Sequence, residues 1–358
     1  MIYVHVPFCK QFCTYCDFYS EIADEGCFKA YADGVCAEIR RRAREMDDDP
    51  KTLYFGGGTP SVLPLSMLTR ILITLDEVGH GGPYREFTME VNPEDIVEKG
   101  RGYVESLLSL GVNRLSIGVQ SFNDAMLRWM NRRHDAARAK EAFRLAREAG
   151  ADNISLDLIF GLSHLSDEAW ADTVDQAVAL GPEHISCYQL SIEEGSELAD
   201  LVAEGRYTEA DDTLCRRQYD ILCQKLSAAG YRHYEISNFA KDGFEAVHNS
   251  GYWARRPYVG LGPAAHSFQG NTRSWNSKTL RNWTSTKETL SAEDSLVETI
   301  MLSLRTDRGA DAAFLHENCS KEDIGRLVRN GALVRVGDRY RIPEDHFFVS
   351  DEIIRELI

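Results

Sequence analysis

The chain has 358 residues, 43% hydrophobic and 27% charged, with a formal net charge of −16 at pH 7. This length supports one large domain, or a large and a small one, around an ample core, and no apolar run reaches the ~18 residues of a membrane span. The acidic balance excludes the broad basic footprint of a nucleic-acid binder and leaves only local pairs such as Arg132-Arg133 and Arg255-Arg256 as basic candidates.

The first strand-like run, residues 2–6, begins within two residues of Met1, which leaves no room for a targeting peptide and implies a cytoplasmic setting. Directly after it come Cys9, Cys13 and Cys16, with the spacing C-x3-C-x2-C. Three thiolates on a loop leaving a strand can hold a 4Fe-4S cluster at three irons and leave the fourth open to an exchangeable ligand. Structural zinc is the rival reading and needs a fourth ligand from elsewhere. A disulfide fits poorly, because the total of nine cysteines is odd and no leader is evident. Cys27, Cys36, Cys187, Cys215, Cys223 and Cys319 are scattered and read as core or surface residues.

Strand-like runs follow at 52–55, 87–91, 114–118, 154–159 and 185–190, with amphipathic helical segments at 28–44, 65–78, 96–110, 137–149 and 168–180 between them. Gly150 and Gly181 stop the last two helices. The acidic run at 47–50 reads as a solvated loop. Six βα units are fewer than the eight of a closed barrel, so the expected fold is α/β, an open partial (β/α)6 TIM-like barrel. Sites on such a fold lie at the C-terminal ends of the strands. The cysteine loop, Gly56-Gly57-Gly58-Thr59-Pro60, Glu90-Val91-Asn92-Pro93, Gly118-Val119-Gln120-Ser121 and Asp157 all take such positions and converge on one rim.

Past residue 191 the alternation breaks down. A long helix at 209–229 leads to a strand at 234–236 and a Gly- and aromatic-rich stretch ending near Gly270. A polar linker at 276–293 precedes helices and a short β-pair at 332–336 and 339–342. The expected domains are a barrel at 1–200, a barrel extension at 201–285 and a small C-terminal α+β winged-helix-like domain at 286–358.

The cysteine loop and the glycine run together resemble the radical S-adenosylmethionine (SAM) superfamily, in which SAM chelates the open iron of the cluster. Nearly the whole chain is similar to the coproporphyrinogen oxidase-like branch, through Tyr3-Val-His-Val-Pro-Phe-Cys, Tyr54-Phe-Gly-Gly-Gly-Thr-Pro-Ser, Glu90-Val-Asn-Pro, Ser116-Ile-Gly-Val-Gln-Ser-Phe, Asp157-Leu-Ile-Phe-Gly-Leu and Gly260-Leu-Gly-Pro-Ala-Ala-His-Ser. The resemblance implies a 4Fe-4S cluster on Cys9, Cys13 and Cys16 and SAM contacts at Tyr3, Tyr15, Gly57, Gly58, Thr59, Glu90, Gln120, Arg132 and Asp157. The oxygen-independent oxidases of the branch carry a fourth cysteine, C-x3-C-x2-C-x-C, and a long N-terminal arm. Here Phe18 stands at the fourth position and the arm is absent.

The chain is closer to the heme-chaperone family of that branch, which has a downstream H-N-x-x-Y-W, present as His248-Asn249-Ser250-Gly251-Tyr252-Trp253. A neutral imidazole is a usual axial ligand of heme iron, so His248, Asn249, Tyr252 and Trp253 are the heme candidates, and Arg255 and Arg256 the candidates for its propionates. The resemblance implies heme as a third cofactor, heme-accepting proteins such as respiratory enzymes as partners, no nucleic acid, peripheral contact with membrane proteins, and a homodimer as a compatible assembly. It leans against catalysis; the alternative is a coproporphyrinogen III oxidase or another radical SAM enzyme acting on a tetrapyrrole.

Overall fold

The structure, a computed structural model, describes residues 1–22, 24–47 and 49–358. Within the acidic run at 47–50, Asp48 lies outside the described residues. Apolar, β-branched and aromatic runs form six parallel strands: β1 (Ile2–Val6), β2 (Thr52–Gly57), β3 (Glu86–Val91), β4 (Arg114–Gln120), β5 (Ile154–Phe160) and β6 (His184–Gln189). They pair in chain order, with Ile2 beside Leu53 and Leu53 beside Phe87. Three later strands complete a nine-stranded sheet: β7 (Arg232–Glu235), β8 (Asn238–Ala240) and β9 (Val259–Leu261), in the order β9-β1-β2-β3-β4-β5-β6-β8-β7. β9 runs parallel to β1, whereas β8 runs antiparallel to both β6 and β7.

Helices cover the outer face. Glu25–Arg42 is capped by the Asp24 carboxylate on the Gly26 amide at 3.0 Å, and Asp167–Leu180 ends on Gly181 in the left-handed region at φ 72°. That helix is tied to Asp212–Ala228 by Trp170, fully buried, whose Nε1 donates to the Gln218 carbonyl at 2.8 Å. The helix expected at 96–110 is two, Pro93–Lys99 and Arg101–Ser109, separated by Gly100 at φ 74°. The linker expected at 276–293 contains a strand, Ser285–Thr289, which closes an antiparallel sheet with His266–Gln269 and Thr272–Asn276.

The C-terminal elements are the helices Ala292–Leu304, Ala312–Asn318 and Lys321–Arg329 and a sheet in which Ala310–Asp311 pairs with Arg339–Arg341, itself paired with Val334–Val336. That alternation is winged-helix-like. Among the described residues, no helix is long and apolar enough to cross a membrane.

Candidate functional site at the strand C-termini

The loop after β1 is fastened on three sides. The Gly58 amide donates to the Val6 carbonyl at 2.9 Å and that of Thr59 to the Phe8 carbonyl at 2.7 Å; the Thr14 amide and hydroxyl reach the carbonyls of Met130 and Trp129 at 3.2 and 3.1 Å. The Asn131 side chain donates to the Phe12 carbonyl at 2.8 Å. So held, the loop turns Cys9, Cys13 and Cys16 into a cavity of about 860 Å³ that opens at the rim.

Three thiolates on one loop suit a cluster, in which each sulfur would take a different iron, whereas zinc would need a fourth ligand. Burial raises the Cys9 thiol and pushes that of Cys16 up to about 12, so deprotonation there calls for a metal.

A polar chain links the sulfurs. Arg132 Nη1 donates to Cys13 Sγ at 3.3 Å, and Arg132 Nη2 to Asn92 Oδ1 at 2.8 Å and the Gly118 carbonyl at 2.7 Å. Asn92 Nδ2 in turn donates to Thr59 Oγ1 at 3.2 Å, which lies 3.5 Å from Cys9 Sγ. Arg132 Nε is buried without a partner, an open donor beside the cavity. Asn92 had a place in the sequence motif but no assigned role; its position at the end of β3 was the available signal.

At the end of β2, Gly57 has φ 107° and its amide donates to Glu90 Oε2 at 3.1 Å, while the Tyr54 hydroxyl donates to Glu90 Oε1 at 2.7 Å. A side chain on Gly57 would overlap the His5 ring. Burial pushes the Glu90 carboxyl up to about 7, against the pull of Tyr54. Asp157, on β5, accepts the Ser116 hydroxyl at 3.0 and 3.1 Å, and burial raises its carboxyl too. Below them stands Arg114, 2% exposed, which sequence reasoning missed because it sits at the start of a strand. The arrangement offers a partner for an ammonium at Glu90, guanidinium donors for a carboxylate at Arg132 and acceptors for hydroxyls at Asp157 and Gln120.

The structure thus brings Cys9, Cys13, Cys16, Tyr15, Gly57, Gly58, Thr59, Glu90, Gln120, Arg132, Asp157 and Asn249 to the wall of one cavity. Tyr3 stands behind it, its hydroxyl 3.0 Å from His5 Nδ1 and its ring 5.9 Å from that of Tyr54.

His248 stands apart from the residues that line the cavity. Its side chain is buried at 0% exposure, Nδ1 lies 2.8 Å from Thr52 Oγ1 and Nε2 lies 2.8 Å from the Tyr252 hydroxyl, so both ring nitrogens have partners within the chain. Burial drives this imidazole down to about 3, so it is neutral. Tyr252 stacks edge-on against Tyr258 at 4.7 Å, and Trp253 ends the same short helix, half-buried. Arg255 is not free for a propionate, since Nη2 donates to Glu298 at 2.8 Å; Arg256 faces Asp49. At the cavity mouth, Phe12, Phe18 and Tyr188 are exposed at 47%, 63% and 44%, with Lys278 alongside.

The Radical SAM superfamily model matches residues 3–177. The heme chaperone HemW of Mycobacterium tuberculosis is 32% identical over 371 residues, covering 100% of this chain and 94% of the relative. HemW of Synechocystis is 32% identical, covering 94% and 84%, and that of Bacillus subtilis 36% identical, covering 76% and 72%. Among solved structures, the radical SAM coproporphyrinogen III oxidase HemN of Escherichia coli superposes with a TM-score of 0.80 at 21% identity, over 99% of this chain and 89% of that one, a likeness of fold.

Proposed function

Because the chain belongs to the radical SAM superfamily, and within it to the HemW family, we propose that it holds a 4Fe-4S cluster on Cys9, Cys13 and Cys16, binds SAM in the adjoining cavity, and binds heme for transfer to acceptor proteins such as respiratory enzymes. The observation that carries this reading is the set of three cysteine sulfurs on one cavity wall, with Phe18 and not a fourth cysteine beside them. A reduced cluster supplies one electron to the SAM sulfonium when both are bound. The chain's own residues do the positioning: Glu90 takes the ammonium, Arg132 the carboxylate, and Asp157 with Gln120 the ribose hydroxyls. The Gly57 amide holds Glu90 in place from the strand end.

For heme, the exposed rings of Phe12, Phe18 and Tyr188 at the mouth supply flat apolar surface, and Lys278 a cation for a propionate. His248 serves beneath as a structural pin. Anaerobic reconstitution with iron and sulfide tests the reading on one sample. One cluster per chain should form and be lost in the triple Cys→Ala variant of positions 9, 13 and 16. SAM and heme should then titrate, and heme should pass to a heme-free acceptor, read by the acceptor's Soret spectrum. Zinc without sulfide on the cysteines removes the cluster assignment, and conversion of coproporphyrinogen III with SAM and dithionite replaces the chaperone reading with an oxidase.

A further inference from the structure

Away from the cavity, Cys223, His233 and Glu344 bring a thiol sulfur, an imidazole nitrogen and a carboxylate oxygen within 4.8 Å of one another. We propose that these three side chains form a binding site for a divalent cation of the zinc type, fastening the C-terminal elements to the edge of the main sheet. The donors come from three separate elements. Cys223 lies on helix Asp212–Ala228, His233 on β7 at the sheet edge, and Glu344 opens the short helix Glu344–Val349.

His233 Nδ1 stands 3.3 Å from Glu344 Oε1 and 4.0 Å from Cys223 Sγ. Ligands on a tetrahedral zinc, with bonds of ~2.0–2.3 Å, stand roughly 3.3–3.8 Å apart. The three donors therefore need only small side-chain adjustments to share one ion.

The imidazole is oriented for the task. Its Nε2 lies 3.3 Å from the Ile236 carbonyl; with the hydrogen on that nitrogen, Nε2 donates to the carbonyl and Nδ1 turns its lone pair toward Cys223 and Glu344. A backbone carbonyl holding the far nitrogen is how metal-bound histidines are commonly fixed. The ring is also clamped, stacked on Phe239 at 4.0 Å and met edge-on by Phe347 at 5.0 Å.

A mixed sulfur, nitrogen and oxygen set suits zinc or cobalt better than magnesium or calcium, which prefer all-oxygen shells. Glu344 is exposed on its outer side, so water can fill the fourth position. Binding expels the Cys223 proton to solvent. Nothing in the spacing of the three residues announces this, and sequence alone leaves Cys223 as an ordinary core or surface residue.

Cobalt(II) is the probe. The full chain with Cys9, Cys13 and Cys16 changed to Ala, stripped of metal by a chelator, should bind one equivalent, show a thiolate-to-cobalt charge-transfer band and release the cobalt to zinc. Cys223→Ser should lose the band. Glu344→Gln, at the exposed edge where the fold is least at risk, should weaken binding at least about tenfold. No stoichiometric cobalt, or a charge-transfer band that survives in Cys223→Ser, overturns the proposal. Should the background lacking Cys9, Cys13 and Cys16 fail to fold, zinc analysis of the cluster-loaded chain replaces it: one zinc per chain in the parent and a clear loss in Glu344→Gln support the site, and equal zinc in both overturns it.

Discussion

Glu90 is the residue on the rim whose charge changes nearest neutrality. Its carboxyl, held up at about 7 by burial, titrates well above the ~4.3 of a free glutamate. The native chain therefore binds this proton more tightly than the unfolded one, and the stability it confers is complete below about pH 4.3 and is lost as pH rises through about 7, by roughly 4 kcal/mol at most. Glu90→Gln keeps an acceptor for Tyr54 and removes the charged form. In urea unfolding without SAM, the variant should lose that decline between about pH 4 and 7, while its SAM affinity falls.

His248 is held by partners that its motif only partly contains. The sequence displays an imidazole beside aromatic rings, but not the Thr52 hydroxyl that takes one nitrogen from a strand distant in sequence. Removing the ring strands two hydroxyls and opens a cavity, so His248→Ala should cost about 2–4 kcal/mol in urea unfolding. Its heme spectrum, taken at equal folded fraction, should match the parent; a lost Soret band would restore His248 as an iron ligand.

Two glycines contrast at the scale of elements. Both adopt positive φ, 107° at Gly57 and 74° at Gly100, yet an added Cβ meets the His5 ring at the first and nothing within 4 Å at the second. Gly100→Ala should therefore cost only the backbone term, about 1–2 kcal/mol, with SAM affinity unchanged. Gly57→Ala adds a steric clash under the amide that holds Glu90 and should lose SAM binding as well, both effects being read by calorimetric titration beside urea unfolding.

The same pair shows what the sequence could tell. The strands were legible to within a few residues, because apolar, β-branched and aromatic runs alternate with helical periods, and the rim followed from strand ends. The break at Gly100 was not, because amphipathic spacing continues across it from Ile96 to Leu107, both buried. The strand Ser285–Thr289 was missed for a related reason: all five residues are exposed and polar, so it exists by pairing with Thr272–Asn276 and not by burying a face.

Across the whole molecule, the negative balance is matched by internal pairing of the cations that sequence left open. Arg133 reaches Glu94, Asp95 and Glu98, and Arg255 reaches Glu298, so neither arginine pair builds a basic patch. The C-terminal elements engage the barrel in the same manner, with Arg232 on Asp307 and Arg216 on the Asp345 carbonyl, but apolar contact is the stronger tie. Phe347, 2% exposed, packs edge-on against His233 of β7, and Phe348 lies 5.4 Å from the Tyr219 ring. Because β7 is the last strand of the nine, this contact packs beside an edge that the backbone of residues 305–307 closes, the Asp307 amide donating to the Tyr234 carbonyl and the Ile236 amide to that of Arg305, both at 3.0 Å. Phe347→Ala should cost about 3–5 kcal/mol, as for other buried phenylalanines. If the C-terminal elements and the sheet edge form one cooperative unit, the loss lowers the midpoint of a single transition, with tryptophan fluorescence and far-ultraviolet circular dichroism coincident in parent and variant alike. Two separated transitions in the parent would show instead that the winged-helix-like elements fold on their own and only lean on the barrel.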